Sequence, residues 1–508
     1  DKKVHLRESW PRKVYLWDTS LSSRSRFSEE YGKLMENTVF LELLRRGNVA
    51  PLQELYYGCL NKVLLTGKYL YDSFPIGRTM NTSEVKEYLT DFQEKALPEL
   101  VERELKVDET GRITSIIGPR RAGKTYFMYQ QMKEYLEKGI KKENMLYLNF
   151  EDPRLIDVNF KEIRDIIKLH WQLYPESTKE KLIIFVDEPQ NIKNWEISIR
   201  ALHDEGFKIF VTGSSSKLLS KEIATSLRGR TLSYLLLPFS FREYLKMKNA
   251  KFEIERLSSR SRALLLSHLG KYLEFGGFPE IVQEENDETR IRMINEYFNL
   301  VVYRDIVERY KIKNTGLIRW LIRALITSFS NEFSVHKYYL TLKSQGISVS
   351  KNTLYAYFSM LQDVLFIFPL QKFDYSVRKR ELTMSKVYLC DTAFTKIANT
   401  GRDIGKKMEN VVFLELLRRN PLSEVFYWKN KRGEEVDFVV VKGAKVEELI
   451  QVSYDIEDPD TRRRELRALD KAGEELRCRN KTVITWDYEE EGEMRFVPLW
   501  KWLLERNV

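Results

Sequence analysis

Residues 113–136 read ITSIIGPRRAGKTYFMYQQMKEYL. An apolar, β-branched run ends at Gly118, a loop carries Pro119, Arg120, Arg121 and Ala122 to Gly123, and Lys124 and Thr125 open a stretch with helical apolar spacing. That order predicts strand, loop, helix. Glycine at either end of the loop lets backbone amides turn toward phosphate oxygens, and the start of the helix adds partial positive charge there. Lys124 is placed to neutralise the β- and γ-phosphates. The Thr125 hydroxyl is placed to reach a magnesium ion, completing G-x-x-x-x-G-K-[ST] in the context it requires. ATP is therefore the expected ligand and Mg2+ the expected cofactor.

Downstream, KLIIFVDEPQNI is an apolar run ending in adjacent carboxylates, which puts Asp187 and Glu188 at the carboxyl end of a buried parallel strand. Asp187 is expected to hold magnesium through its water shell, and Glu188 to polarise the attacking water. The runs NMLYLNFED and FKIFVTGSS supply two further strands. A strand inserted before the acidic motif points to an α/β P-loop fold of the additional-strand class. Ser214, at the end of the second run, either senses the γ-phosphate or caps a serine-rich loop. In SLRGRTLSYLLL, Arg228 and Arg230 bracket a glycine. One of them is a candidate arginine finger for a neighbouring subunit, with a salt-bridged turn as the alternative.

A chain of 508 residues predicts about three domains. At 43% hydrophobic and 31% charged it has material for packed cores and a charged surface. Lys and Arg outnumber Asp and Glu by 84 to 74, a net charge of +10 that favours polyanionic partners. Cys59, Cys390 and Cys478 are too few and too scattered for a disulfide framework or a metal cluster, which points to the cytoplasm. No apolar run approaches the roughly 20 residues that span a bilayer, and the first residues lack a signal-peptide core, so neither membrane insertion nor secretion is expected.

Residues 13–46 match residues 386–419 without a gap, sharing KVYL, DT, GK, MEN and VFLELLRR, with more than half the positions identical. This is a partial duplication. Two copies so far apart cannot stack as a solenoid. The first copy therefore reads as half a domain.

The series GPRRAGKT, LNFEDPRL, FVDEPQNIKNW, VTGSSSKLL, LRGR, LPFSFREYL and FGGFPEIV resembles that of prokaryotic, especially archaeal, AAA-type ATPases carrying a winged helix and a restriction-endonuclease-like domain. The resemblance covers most of the chain after residue 85. It implies ATP binding, oligomerisation or control by a protein partner, and a link to DNA. The expected organisation is a partial repeat copy (1–50), a helical lead-in (51–105), an AAA-type core (106–245), a helical lid (246–310), an all-α winged-helix module (311–375) and an α/β restriction-endonuclease-like domain (376–508).

In the winged-helix region Gly346 falls at a tight turn, and Ser350 caps a helix presenting Lys351, Asn352, Tyr355 and Tyr357. That helix either enters a major groove, with Lys351 on phosphate and Asn352 near a base edge, or packs on the nucleotide site and transmits its state. In the last domain the resemblance implies a metal-binding helix glutamate, strand aspartate and E-x-K element. Glu409 and Asp437 fit the first two places, but EELIQVSY puts Leu449 and Gln451 where glutamate and lysine belong. Glu448 restores a carboxylate only by a register shift that reverses the side-chain face. A degenerate nuclease site is expected. Three functions follow: an ATP-driven, DNA-associated switch, an ATP-licensed metal-dependent nuclease, or a nucleotide-dependent scaffold that does not touch DNA.

Overall fold

The computed structural model describes residues 80–214, 227, 229–398, 403–419, 423–443 and 445–505. The first copy of the repeat, residues 51–79 of the lead-in and Arg228 lie outside the described residues.

Helix α1 (Thr82–Glu94) opens on Asn81, whose side chain accepts from the Ser83 amide. The sequence predicts this helix to run on through Leu105, but it stops at Glu94. Pro98 accounts for the break, because proline lacks an N–H and pushes the residue before it out of helical geometry. Residues 96–110 therefore run without helix or strand.

The core follows as β1 (Ile113–Ile117), α2 (Lys124–Glu137), β2 (Met145–Asn149), α3 (Ile163–Leu173), β3 (Ile183–Asp187), α4 (Trp195–Asp204), β4 (Lys208–Gly213) and β5 (Thr231–Leu235). The strands pair in the order β2-β3-β4-β1-β5, all in parallel. Strands β1 and β3 are buried along their whole length, as their unbroken apolar runs require. Val85, Leu89, Ile113, Leu146, Ile166, Ile184 and Ile199 pack on one face of the sheet, and Met128, Met132, Tyr147, Phe185 and Phe210 on the other. Because β4 lies between β1 and β3, the loop after β1 and the carboxylates after β3 flank the end of β4. This is the α/β P-loop core with the additional strand.

Four helices come next: α5 (Phe241–Met247) where the core ends, then α6 (Ser259–Phe275), α7 (Pro279–Gln283) and α8 (Asp287–Leu300) of the lid, the last running into a π-helix, Val301–Glu308. A capping box between Ser240 and Glu243 starts α5.

The middle module contains α9 (Thr315–Thr327), β6 (Asn331–Phe333), α10 (Val335–Ser344), α11 (Lys351–Asp363), β7 (Ile367–Leu370), α12 (Val377–Leu382) and β8 (Ser385–Leu389). Gly346 takes φ +76° in the turn before α11, and the Ser350 side chain accepts from the Thr353 amide. Beside the helices stands a three-stranded antiparallel sheet, β6-β8-β7. Its strands of three to five residues are too short for periodicity to announce. Strand β8 holds the KVYL of the repeat, and its ladder partners are β6 and β7. The backbone pairing therefore carries this module to Leu389, past the expected end at 375.

The last domain is α13 (Ile404–Arg419), β9 (Glu424–Lys429), β10 (Glu435–Lys442), β11 (Lys445–Ser453), α14 (Pro459–Leu476), β12 (Lys481–Thr485), β13 (Arg495–Pro498) and α15 (Leu499–Leu504). Its sheet runs β13-β12-β11-β10-β9, parallel across β11 to β13 and antiparallel across β9 to β11. Met408, Val412 and Phe413 of α13 share one core with Tyr244 of α5 and with Leu269 and Tyr272 of α6, so the last domain is packed against these helices. Among the described residues no helix is long and apolar enough to cross a membrane.

Candidate functional site

The loop after β1 is shaped by close backbone contacts. A Cβ at position 118 would lie 2.1 Å from the Leu236 carbonyl oxygen, and Gly123 adopts φ +93°. Neither position tolerates a side chain without rearrangement. Arg103, in the non-helical stretch after Pro98, holds the loop from behind. It donates to the Ala122 carbonyl (2.8 Å) and the Leu237 carbonyl (2.6 Å) and pairs with Glu243 (3.0 Å).

Lys124 is buried, and its Nζ donates to the Gly118 and Pro119 carbonyls at 3.1 Å each. Glu188 Oε1 stands 3.7 Å from it. The Thr125 hydroxyl donates to Asp187 Oδ2 at 2.7 Å, and Tyr147 donates to the same oxygen at 3.0 Å. Thr212 donates to the other oxygen and accepts from the Glu188 amide. Burial, then the Glu188 charge, pushes the Asp187 carboxyl up. Burial pushes Glu188 up as well, but Lys124, Gln190, Arg120 and Arg309 together outweigh it and hold its carboxyl below the ordinary value. Glu188 is thus the better anion of the two. Its backbone is left-handed, φ 50°.

Other loop residues face the lid. Arg120 makes a bidentate contact with Asp305 (2.9 Å) on the π-helix, and Arg121 reaches Glu280 of α7 (2.9 Å). From the end of the π-helix Arg309 donates to Ser214 Oγ at 3.3 Å, while its buried Nη1 has no hydrogen-bond partner. Ser214 is itself buried where β4 ends. Arg309, Asp305 and Arg103 carry no motif, and nothing in the sequence marks them.

These contacts bring together Gly118, Pro119, Arg120, Arg121, Ala122, Gly123, Lys124, Thr125, Asp187, Glu188 and Ser214. They do not bring Arg230. Its carbonyl accepts from the Ile113 amide at the start of β1, the end away from the loop, and its guanidinium pairs with Asp204 at 2.6 Å. Five strand residues, about 16 Å, separate that edge from Gly118.

A nucleotide with its magnesium ion fits this cradle. The first turn of α2 has no side-chain cap, an ammonium is turned onto two carbonyls, and a buried guanidinium N–H is unpaired at the same strand ends. Thr125 and Asp187 have the hard oxygen donors that magnesium takes.

The second candidate centre lies in the last domain. Glu409 of α13, Asp437 of β10 and Gln451 of β11 do converge. Gln451 accepts from the Asp437 amide (3.2 Å) and donates to Glu465 (2.7 Å), and Asp437 Oδ2 accepts from the Val452 amide (3.0 Å). Between them stands Lys386 of β8. Its Nζ lies 2.9 Å from Glu409, 2.8 Å from Asp437 and 2.6 Å from Glu435. Tyr388 donates to Glu409 at 2.6 Å. Burial, then Asp437, pushes Glu409 up to about 8. Burial would push Lys386 down, but Asp437, Glu409, Tyr388 and Glu435 hold it well above the usual lysine value. Glu448 points elsewhere and accepts from Thr482 at 2.6 Å. Among the described residues no three His, Cys, Asp or Glu side chains are set to hold a metal ion.

On α11, Lys351, Asn352 and Tyr355 are exposed, and the Lys351 ammonium lies over the Tyr355 ring at 5.6 Å. Tyr357 is a correction. It is 7% exposed and packs with Leu354 and Leu361 in the module core, because a helix that buries 354 and 361 turns 357 inward too. It cannot contact a groove from there.

Fold and site together define an AAA-type P-loop protein. Residues 110–245 match the family described as AAA domain, and residues 266–402 and 404–502 match two domains of unknown function, DUF8612 and DUF4143. The chain belongs to the family of a Methanocaldococcus jannaschii protein named Uncharacterized protein MJ1544, with 37% identity over 405 residues, 77% of this chain and 88% of that relative. A Haemophilus influenzae protein, also named only as uncharacterized, is 29% identical over 69% of this chain and 85% of its own length. Among solved structures, Cdc6p from Pyrobaculum aerophilum covers 65% of this chain and 96% of its own at 10% identity, with a TM-score of 0.24. A likeness that low carries no argument about function.

Proposed function

We propose that the protein binds ATP with magnesium, hydrolyses it, and uses the cycle to shift the lid and the middle module. The observation that carries this reading is the double tie of the π-helix to the nucleotide cradle, through Asp305 to Arg120 and through Arg309 to Ser214. The next residue, Tyr310, donates to Asp363 (3.1 Å) in the last turn of α11, so the same short segment touches the cradle and the helix of the middle module. π-Helical turns are frequent at functional positions.

In this reading Lys124 and the 118–125 amides hold the phosphates, Thr125 and Asp187 hold magnesium, and Glu188 orients and polarises the attacking water. The ion neutralises charge on the β- and γ-phosphates. Ser214 and Arg309 face the γ-phosphate from the same chain. Arg230 or Arg228 acts only on a neighbouring subunit, which for Arg230 requires release from Asp204. Residues 106–245 are the motor core, 246–310 the lid, the middle module a winged helix and the last domain a restriction-endonuclease-like fold. We take the site of action to be the cytoplasm. The partner is double-stranded DNA, supported by the +10 charge and by exposed Lys351, Asn352 and Tyr355 on α11.

The test is magnesium-dependent ATP hydrolysis by wild type and Glu188→Gln, with and without double-stranded DNA, at two salt concentrations. Glu188→Gln is expected to keep ATP and lose turnover by about 100-fold. DNA stimulation that fades with salt supports the DNA link. Robust hydrolysis indifferent to DNA replaces DNA with a protein partner, and undiminished turnover by the variant removes Glu188 from the chemistry.

A further inference from the structure

Asp187 ends β3 with 2% of its surface exposed, and three hydroxyls from three elements meet its two oxygens. Thr212 of β4 donates to Oδ1, while Thr125 of α2 (2.7 Å) and Tyr147 of β2 (3.0 Å) donate to Oδ2. Strands β2 and β4 are the two neighbours of β3, so the carboxylate is clasped from both sides of its own strand. Tyr147 pairs in register with Phe185, which puts its side chain on the same face as Asp187 two residues further on. That diagonal is within reach of an aromatic side chain.

The ring does not depend on Asp187 for its place. It is buried, and its centroid lies 5.3 Å from that of Phe92 on α1 and 5.6 Å from that of Tyr129 on α2. The neighbouring side chains of the strand, Met145, Leu146 and Leu148, are buried and apolar. Packing alone therefore asks no more of position 147 than a phenylalanine, and the hydroxyl needs another reason. A carboxylate turns easily about its last bond and offers about four acceptor positions, of which the three hydroxyls take three. Thr125 is itself expected to bind the magnesium ion, so it moves with the ion and is no fixed reference for it. Tyr147 and Thr212 are not among the ion's expected ligands, and they hold the carboxylate from the sheet.

We propose that Tyr147 is a positioning residue for magnesium, its hydroxyl setting the angle at which the Asp187 carboxylate faces the ion. The inference rests on the reading of Asp187 as the residue that holds magnesium.

The test is calorimetric ATP binding by the full chain in Mg2+ and in EDTA, every protein carrying Glu188→Gln so that nucleotide is not turned over. The ratio of the two affinities is the gain that the ion provides. Tyr147→Phe keeps the ring and loses only the hydroxyl. It is expected to reduce the gain about tenfold, the lower end for groups that orient a metal ligand, and to leave affinity in EDTA within about twofold of the parent. Where the variant melts earlier, both affinities are read at a temperature at which it is folded. Equal losses in Mg2+ and in EDTA would make the tyrosine a packing residue and overturn the proposal. An unchanged gain would overturn it too, and Asp187→Asn then tells which statement failed. If Asp187→Asn loses the gain that Tyr147→Phe keeps, the carboxylate holds the ion and the tyrosine does not position it. If the parent shows no gain, or Asp187→Asn keeps it, the magnesium reading falls and this inference falls with it.

Discussion

Two buried lysines stand beside paired acidic residues in this molecule, and their surroundings differ in one respect. Lys124 rests on two backbone carbonyls with one carboxylate 3.7 Å away, whereas Lys386 is gripped by three carboxylates at 2.6–2.9 Å. Carbonyls are weak partners for an ammonium, and an arriving phosphate competes them off. Carboxylates are strong partners, and nothing short of another cation displaces them. The first lysine is poised for a ligand, the second is already bound. Motif spacing sees only that a lysine and acids are near one another, so the distinction lies in the identity of the nearest oxygen.

Substituting methionine at each position breaks or sharpens this contrast, and it carries the largest expected effect. Lys386→Met leaves the buried Glu409 and Asp437 without their cation and is expected to cost about 3–5 kcal/mol of stability in denaturant unfolding, the range for breaking a buried ion pair from one side. Lys124→Met removes a buried ammonium held by two carbonyls and by one carboxylate, Glu188, at 3.7 Å. It is expected to cost less than Lys386→Met, about 1–3 kcal/mol, while abolishing ATP binding measured by calorimetry. Equal stability losses at the two positions would mean that two carbonyls and one more distant carboxylate hold a lysine as firmly as three carboxylates do, and the contrast would fail.

The two centres are also unequally legible in the sequence. The nucleotide cradle is local: Gly118 to Thr125 are consecutive, and Asp187 and Glu188 end an apolar run, so sequence order already places them. What the sequence hides comes from distant chain. Arg309 reaches Ser214 across 95 residues and Arg103 reaches Leu237 across 134, with no spacing rule to mark either. Tyr357 misleads because an aromatic on a capped helix suits a groove and a core equally, and only its neighbours Leu354 and Leu361 decide. In the last domain Glu409 and Asp437 are legible and their cation is not. The repeat does hold a signal: Lys386, Tyr388, Asp391 and Glu409 have identical residues in the first copy at Lys13, Tyr15, Asp18 and Glu36. In the described copy each of these four is buried and hydrogen-bonded. Identity between copies marks a buried polar network, which is a packing constraint more than a catalytic one.

Asp391 offers the second test, since it is a buried carboxylate met by backbone amides rather than by an ammonium. Gly277 and Ala393 donate to it at 2.8 Å each, and a Cβ at Gly276 would lie 1.6 Å from it. Burial raises its carboxyl from 3.8 to about 6, against the pull of those two amides and of Arg418. A raised folded-state value means that the folded protein holds the proton more tightly. The stability it adds is complete below about pH 4 and is lost as pH rises through about 6. The loss is expected to approach 3 kcal/mol, from about 1.4 kcal/mol per unit. Asp391→Asn should flatten the slope of unfolding free energy against pH between 4 and 6 relative to wild type. An unchanged slope would show that amides alone hold the charge as well as a cation does.

The smallest expected effect tests the first lysine's surroundings. If the cradle around Lys124 awaits an anion, the unpaired Nη1 of Arg309 should find a partner when the γ-phosphate arrives, and only then. Arg309→Ala removes a contact that ADP lacks and ATP has. Its affinity for ADP is therefore expected to stay within about twofold of wild type, while affinity for ATP falls about tenfold, which corresponds to roughly 1.4 kcal/mol. Turnover should fall at least as far, because charge on the γ-phosphate oxygens grows toward the transition state. The alternative is that Arg309 only braces the π-helix through Ser214 and, at 3.9 Å, Asp305. Bracing acts on the apo fold and lowers affinity for both nucleotides alike. Measuring ADP and ATP side by side on Arg309→Ala separates the two: a difference between them makes the arginine a reader of the third phosphate, and a shared loss makes it a strut.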